Sequence, residues 1–148
     1  MKRAAGLAVL LFCAIGLRAL DLQYGALFTV RGITLEKGRP VLPTTRGKYV
    51  NVRVLDKDTY RFLKTCTSVC VQNGAEGNVE ISHIRAAKTR ANMWIADVSV
   101  DKKWLLTFLV FKNEKGFSFV APGTLEIADK DWLTRVQRML QTRIEQGI

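Results

Sequence analysis

The sequence predicts an α+β fold: an antiparallel β-sheet with a short inserted helix and a long C-terminal amphipathic helix packed on one face. Three observations predict it. Several segments alternate apolar with polar residues or are almost wholly apolar over strand-like lengths. Gly, Asn, Asp and Pro separate these segments at turn and hairpin distances. Near the end of the chain, Trp132, Leu133, Val136, Met139, Leu140 and Ile144 recur at the spacing of one helical stripe.

The elements follow in order. Residues 26–35 are rich in β-branched and aromatic side chains, with Thr29 and Arg31 two apart, and read as a strand with a bulge at Gly32. Lys37-Gly38 makes a turn, and residues 39–47, holding two of the three prolines, read as an irregular loop. Between Tyr49 and Leu55 the alternation is clean: Val50, Val52 and Val54 share one face, Asn51 and Arg53 the other. Asp56-Lys57-Asp58 then opens a short helix, because an N-cap carboxylate accepts from first-turn N–H groups and suits the positive end of the helix dipole. Phe62, Leu63 and Cys66 continue at helical spacing, with the segment ending in the polar Gly/Asn run from Gln72 to Asn78.

Residues 79–86 and 93–100 read as strands, with Trp94, Ala96, Val98 and Val100 on one face. Residues 104–111 are nearly continuous apolar sequence, too short to span a bilayer, and fit a central strand covered on both faces. The turn Asn113-Glu114-Lys115-Gly116 returns the chain antiparallel into residues 117–120. Pro122-Gly123 interrupts the pattern before a last short strand at 124–127. Asp129 or Asp131 caps the final helix and Gly147 ends it; Arg135 and Arg138 lie opposite the stripe and are the candidates for surface binding.

Upstream of this domain, residues 1–19 have the parts of an export signal. Lys2 and Arg3 precede an uncharged run from Ala4 to Leu17, inside the roughly 7–15 residue range of a signal core and short of the roughly 20 residues of a stable span. Cleavage is expected after Gly16 or Ala19, leaving residues 20–148 as a single domain. Cys13 follows Phe12 rather than a small residue, and apolar sequence continues past it, so it reads as part of the core of the signal and not as a lipidation site. The expected location is outside the cytoplasm: the periplasm, the cell envelope or the exterior. Removing the leader takes away three bases (Lys2, Arg3, Arg18) and no acid, so the net charge of +10 falls to +7.

Few residues invite catalysis. Cys66 and Cys70 are the only thiols left after export, and an even count in an oxidising compartment predicts a disulfide. On one helix their spacing of four brings Cα atoms to about 6 Å, within bridging range. A redox pair usually has two intervening residues at a helix N-terminus; this one has three and lies late in its element. His83 and Ser82 are adjacent in a strand and point to opposite faces, so they make no local nucleophile–base pair. The pairs around Lys57 and Lys130 read as helix caps, since calcium loops need more oxygen donors and a Gly at fixed offset. Asp97 and Asp101 are a weak candidate carboxylate pair. No phosphate-cradling motif, metal set or cofactor site is read.

The expectation is therefore a small exported envelope protein that acts by binding and is not an enzyme. Its partner would be an envelope protein or an anionic membrane or polymer surface, and not nucleic acid, because the bases are scattered singly and an exported chain seldom meets nucleic acid. The alternative is a carrier of an apolar small molecule or lipid between the sheet and the C-terminal helix, with Phe108, Phe111, Phe117 and Phe119 lining the pocket.

Overall fold

The computed structural model describes residues 19–45 and 49–147. Residues 1–18 of the leader, Cys13 and Gly16 among them, together with Gly47 at the end of the proline-rich loop, lie outside the described residues. The strands are β1 (Ala19–Tyr24), β2 (Phe28–Glu36), β3 (Arg39–Val41) and β4 (Val52–Val54), followed by helix α1 (Lys57–Thr65). Then come β5 (Val69–Gln72), β6 (Val79–Ala86), β7 (Met93–Val100), β8 (Trp104–Asn113), β9 (Gly116–Val120), β10 (Leu125–Ile127) and helix α2 (Lys130–Glu145).

The fold is α+β with mostly antiparallel strands, but there are two sheets where one was expected. The first has the order β10-β2-β1-β5, with β3 also on β2; the second has the order β4-β8-β7-β6, with β9 also on β8. The division arises because β5 returns to pair with β1 while β4 pairs with β8, and β10 leaves its sequence neighbours to pair with β2. Side chains from both sheets and from both helices form one core, including Leu22, Phe28, Val98, Phe108, Leu63 and Trp132.

Several elements differ from the sequence reading. β1 was not foreseen: its Leu20, Leu22 and Tyr24 are buried while Ala19 and Gln23 are exposed. The alternation is regular, but it follows directly on the leader and is masked by it. The bulge at Gly32 is present, since Arg31 and Gly32 together face Asp21 and the Gly32 N–H donates to the Asp21 carboxylate (3.2 Å). The loop expected at 39–47 contains β3, an edge strand that tolerates Pro40. β8 is central, yet its burial alternates: Trp104, Leu106, Phe108 and Val110 are buried, while Leu105, Thr107, Leu109 and Phe111 are only half-buried. The last helix is capped by Asp129, and Trp132, Val136 and Leu140 are fully buried, but Met139 at the rim of the stripe is exposed.

The largest local departure concerns the cysteines. Helix α1 stops at Thr65, Cys66 takes an extended C-cap conformation, and Cys70 lies on β5, which runs parallel to β1. The two form a disulfide across this helix-to-strand corner, with Cα atoms 5.9 Å apart. Val69 and Val71 alternate with Cys70 and Gln72 as a strand requires, and pairing with β1 prevails over continuation of the helix. Closing so short a loop restricts the unfolded chain little. Replacing both cysteines by serine is expected to cost about 2 kcal/mol, read as a modest fall in the denaturation midpoint with the fold retained. Loss of folding on reduction would contradict it.

A polar clasp joins the layers at one end. β7 and β8 are linked by a tight turn in which Asp101 and Lys102 both have positive φ (52° and 57°), closed by a bond from the Lys103 N–H to the Val100 carbonyl (2.9 Å). This turn aims the Asp101 carboxylate at the 76–78 loop, where it accepts from the N–H groups of Glu76 (3.0 Å), Gly77 (3.1 Å) and Asn78 (2.7 Å). The Tyr24 hydroxyl, from the first sheet, donates to the same carboxylate (2.5 Å). The Trp132 indole of α2 donates to the Gly77 carbonyl (3.1 Å). Gly77 has φ of 78°, and a Cβ there would stand 3.1 Å from the Trp132 ring, so both backbone and space call for glycine. Beside the clasp, the Trp104 indole donates to Gln72, whose amide donates to the Thr59 hydroxyl (3.2 and 2.9 Å).

Candidate binding surface

Successive side chains of a strand point to opposite faces, so register determines what each sheet shows on the side away from the core. On the first sheet that side is mixed: Thr29, Arg31, Thr34, Asp21 and Glu126 are joined by exposed Val69 and Val71 on β5 and Val41 on β3. Arg31 pairs there with Glu126 and with Asp21 (3.3 Å).

The second sheet differs. Its outer side carries Arg85, Ile95, Leu109 and Val120 in one cross-strand row, and Met93, Phe111 and Ser118 in the next. Toward the clasp lie a row of His83, Asp97 and Thr107 and a row of Glu80, Ser99, Leu105 and Arg53. Met93, Ile95, Leu105, Leu109 and Phe111 are half-buried among themselves, and Val120 is 47% exposed. They lie on the opposite side of the sheet from the core. An apolar sheet face of this kind, rimmed by charge, marks an interaction surface. The Thr107 hydroxyl donates to Asp97 (2.7 Å), which holds that carboxylate flat against the face.

At the end of this sheet remote from the clasp, two neighbouring loops gather bases. The β6–β7 connection brings Lys88 and Arg90, the β8–β9 hairpin brings Lys112 and Lys115, and all four are exposed. The Lys112 N–H donates to the Asn92 carbonyl (3.0 Å) and so ties the two loops together. Arg90 lies over the Phe111 ring at 5.0 Å and Lys112 over Phe117 at 5.4 Å, so aromatic faces hold both cations in place. Glu114 is the single acid within these loops. A shallow depression of about 380 Å³ runs between them, lined by Arg90, Asn92, Phe111, Lys112 and Ser118.

The residues singled out from sequence fall elsewhere. Arg135 and Arg138 are exposed on α2, and Arg138 joins Arg143 at a separate shallow depression against Ile81. Phe108 is fully buried, Phe117 and Phe119 are half-buried on the same side of the second sheet, and Phe111 points to the other side. The four phenylalanines therefore do not converge on one space. His83 is exposed; a register shift at Ser82 places Ile81 with Val98 and His83 with Asp97, so these two face opposite sides of the sheet. Asp97 and Asp101 lie apart, one bonded to Thr107 and the other engaged in the clasp. Among the described residues no group of three or more His, Cys, Asp or Glu is arranged to hold a metal ion.

The outer apolar face and the cationic end were not foreseen. The doubly apolar character of residues 104–111 was the signal, but it was read as burial on both sides. The bases are far apart in sequence and meet only through hairpin pairing. No protein-family model, curated protein or solved structure matches this chain.

Proposed function

We propose that this chain is a small exported protein of the cell envelope that acts by binding, not by catalysis, and that its cationic end engages an anionic surface. The observation that carries the reading is the gathering of Lys88, Arg90, Lys112 and Lys115 on two joined loops with Glu114 as their only acid. The disulfide between Cys66 and Cys70 is compatible with an oxidising compartment outside the cytoplasm. The ligand chemistry is that of phosphate or carboxylate groups displayed at high density, on lipid headgroups or on an envelope polymer. No observation on Phe108, Phe111, Phe117 and Phe119 favours the carrier alternative.

The test is cosedimentation of the exported form of the protein with phosphatidylglycerol-containing vesicles, compared with wholly zwitterionic vesicles and with a soluble polyphosphate competitor. Retention on anionic vesicles at low salt, lost at high salt, is expected. Each base near such a surface contributes about 1 kcal/mol, so reversing Lys88, Arg90, Lys112 and Lys115 to Glu should weaken retention by at least about 100-fold. Competition by polyphosphate alone, without vesicle retention, would point to a polymer. Unchanged retention in the fourfold variant would refute the assignment to this end of the molecule.

A further inference from the structure

The geometry points to a second copy of this chain as the occupant of the outer face of the second sheet, stacked about a two-fold axis that runs along the strands between β7 and β8. The inference does not depend on the anionic-surface reading.

A two-fold axis in that position lays β7 of one copy on β8 of the other. In the register of the sheet, Ile95 then meets the partner's Leu109, and Met93 meets the partner's Phe111. These are apolar contacts, the second a favourable sulfur–aromatic one. Asp97 meets the partner's Thr107, a hydroxyl rather than another carboxylate. At the two edges, Glu80 on β6 meets the partner's Arg53 on β4, and symmetry repeats this pair on the other side. A two-fold axis across the strands instead stacks each strand on its own copy, so Glu80 no longer meets Arg53 and Asp97 faces a residue of β7 rather than Thr107. The two Glu80–Arg53 pairs thus favour the axis along the strands, in which Arg85 lies over the partner's Val120 at the same edges.

Aligned sheets cross at about −30°, which displaces the corners by roughly one residue; Glu and Arg side chains span that distance. The face covers four strands, about 19 Å wide, and its rows extend about 23 Å along them, or roughly 450 Å² per copy. That is the scale of a weak, reversible dimer. The same axis leaves both cationic loop ends pointing the same way, so one surface can engage both copies together.

Sedimentation velocity of the exported form over about 10 µM to 1 mM should show a reversible monomer–dimer equilibrium within that range. Leu109→Asp should leave a monomer with unchanged circular dichroism. Glu80→Arg and Arg53→Glu should each weaken the dimer by about 100-fold by facing like charges. Mixed together, these two variants should re-form a dimer, because each copy then meets the opposite charge at both edges. A monomeric wild-type protein at the highest concentration overturns the inference. So does a dimer that either single charge variant leaves intact, or a folded mixture that fails to reassociate. None of these variants touches Lys88, Arg90, Lys112 or Lys115, so vesicle binding by the monomers separates failure here from failure of the proposed function.

Discussion

Replacing Asp101 by alanine is expected to lower the stability of the domain by about 3 kcal/mol, among the largest effects of any exposed or half-buried polar substitution in the chain. The carboxylate accepts four hydrogen bonds, one from the first sheet and three from the 76–78 loop. It also sits in a turn whose positive φ values favour Asn, Asp or Gly over alanine. Asp101→Asn should recover part of the loss, since it keeps the turn preference and one acceptor oxygen. Urea denaturation of the three proteins checks the order.

The same group predicts a pH dependence. Burial alone would push the Asp101 carboxyl up, but the Tyr24 hydroxyl and the three backbone N–H groups outweigh it and hold the pKa below the ordinary carboxylate value. A depressed folded pKa contributes stability that is complete above the unfolded value, about 4, and is lost as pH falls through the folded one. Tyr24 is shifted the other way: burial first, then the bond to Asp101 and its charge, raise the phenol well above its ordinary value. Its contribution is complete below about pH 10 and is lost as pH rises beyond that. The wild-type protein should therefore weaken at both extremes; Asp101→Ala should flatten the acid limb and only reduce the alkaline one, since burial of Tyr24 remains. An unchanged acid limb in the variant would assign that limb to other carboxylates.

Trp132→Ala is expected to cost about 4 kcal/mol, or roughly 10–15 °C in Tm. The indole is fully buried, lies 5.8 Å from Phe28 between ring centroids, and donates to the Gly77 carbonyl. Its removal leaves a cavity, an unpaired carbonyl and a helix held by Val136 and Leu140, with Leu133 and Ile144 at the margin of the core. Trp132→Phe should cost less, because it keeps most of the packing and loses the hydrogen bond. Thermal melts followed at far and near ultraviolet wavelengths check both; a Trp132→Ala protein as stable as wild type would show that α2 is not anchored here.

Much of the local structure was legible because it depends on neighbours in sequence. The caps at Asp56 and Asp129 need only a carboxylate three residues before a helical N–H. Strands β6, β7 and β9 follow from apolar spacing and from the Asn113–Gly116 turn, and the Gly32 bulge from a glycine inside a strand. β5 was misread because Phe62, Leu63 and Cys66 extend a helical period up to it, while its pairing partner β1 lies some fifty residues upstream. The spacing of Cys66 and Cys70 foretold a bridge, but through the wrong geometry, since a helix and a helix-to-strand corner give similar Cα separations.

The candidate surface was much less legible. Nothing local distinguishes Leu105, Leu109 and Phe111, which face outward, from Trp104, Leu106 and Phe108, which are buried. Both sets are apolar, and only the position of the other sheet decides which side is the core. Lys88, Arg90, Lys112 and Lys115 become a cluster only when two hairpins pair.

By itself, the sequence determined the α+β class, the helix caps, most strand positions, the partnership of the two cysteines and the surplus of positive charge, because each depends on residue type and short-range spacing. Tertiary structure alone decided the division into two sheets, the closing of the clasp on Asp101, and which apolar face stays open to solvent. Those outcomes depend on contacts between segments far apart along the chain, where periodicity specifies that a face exists but not what will lie against it.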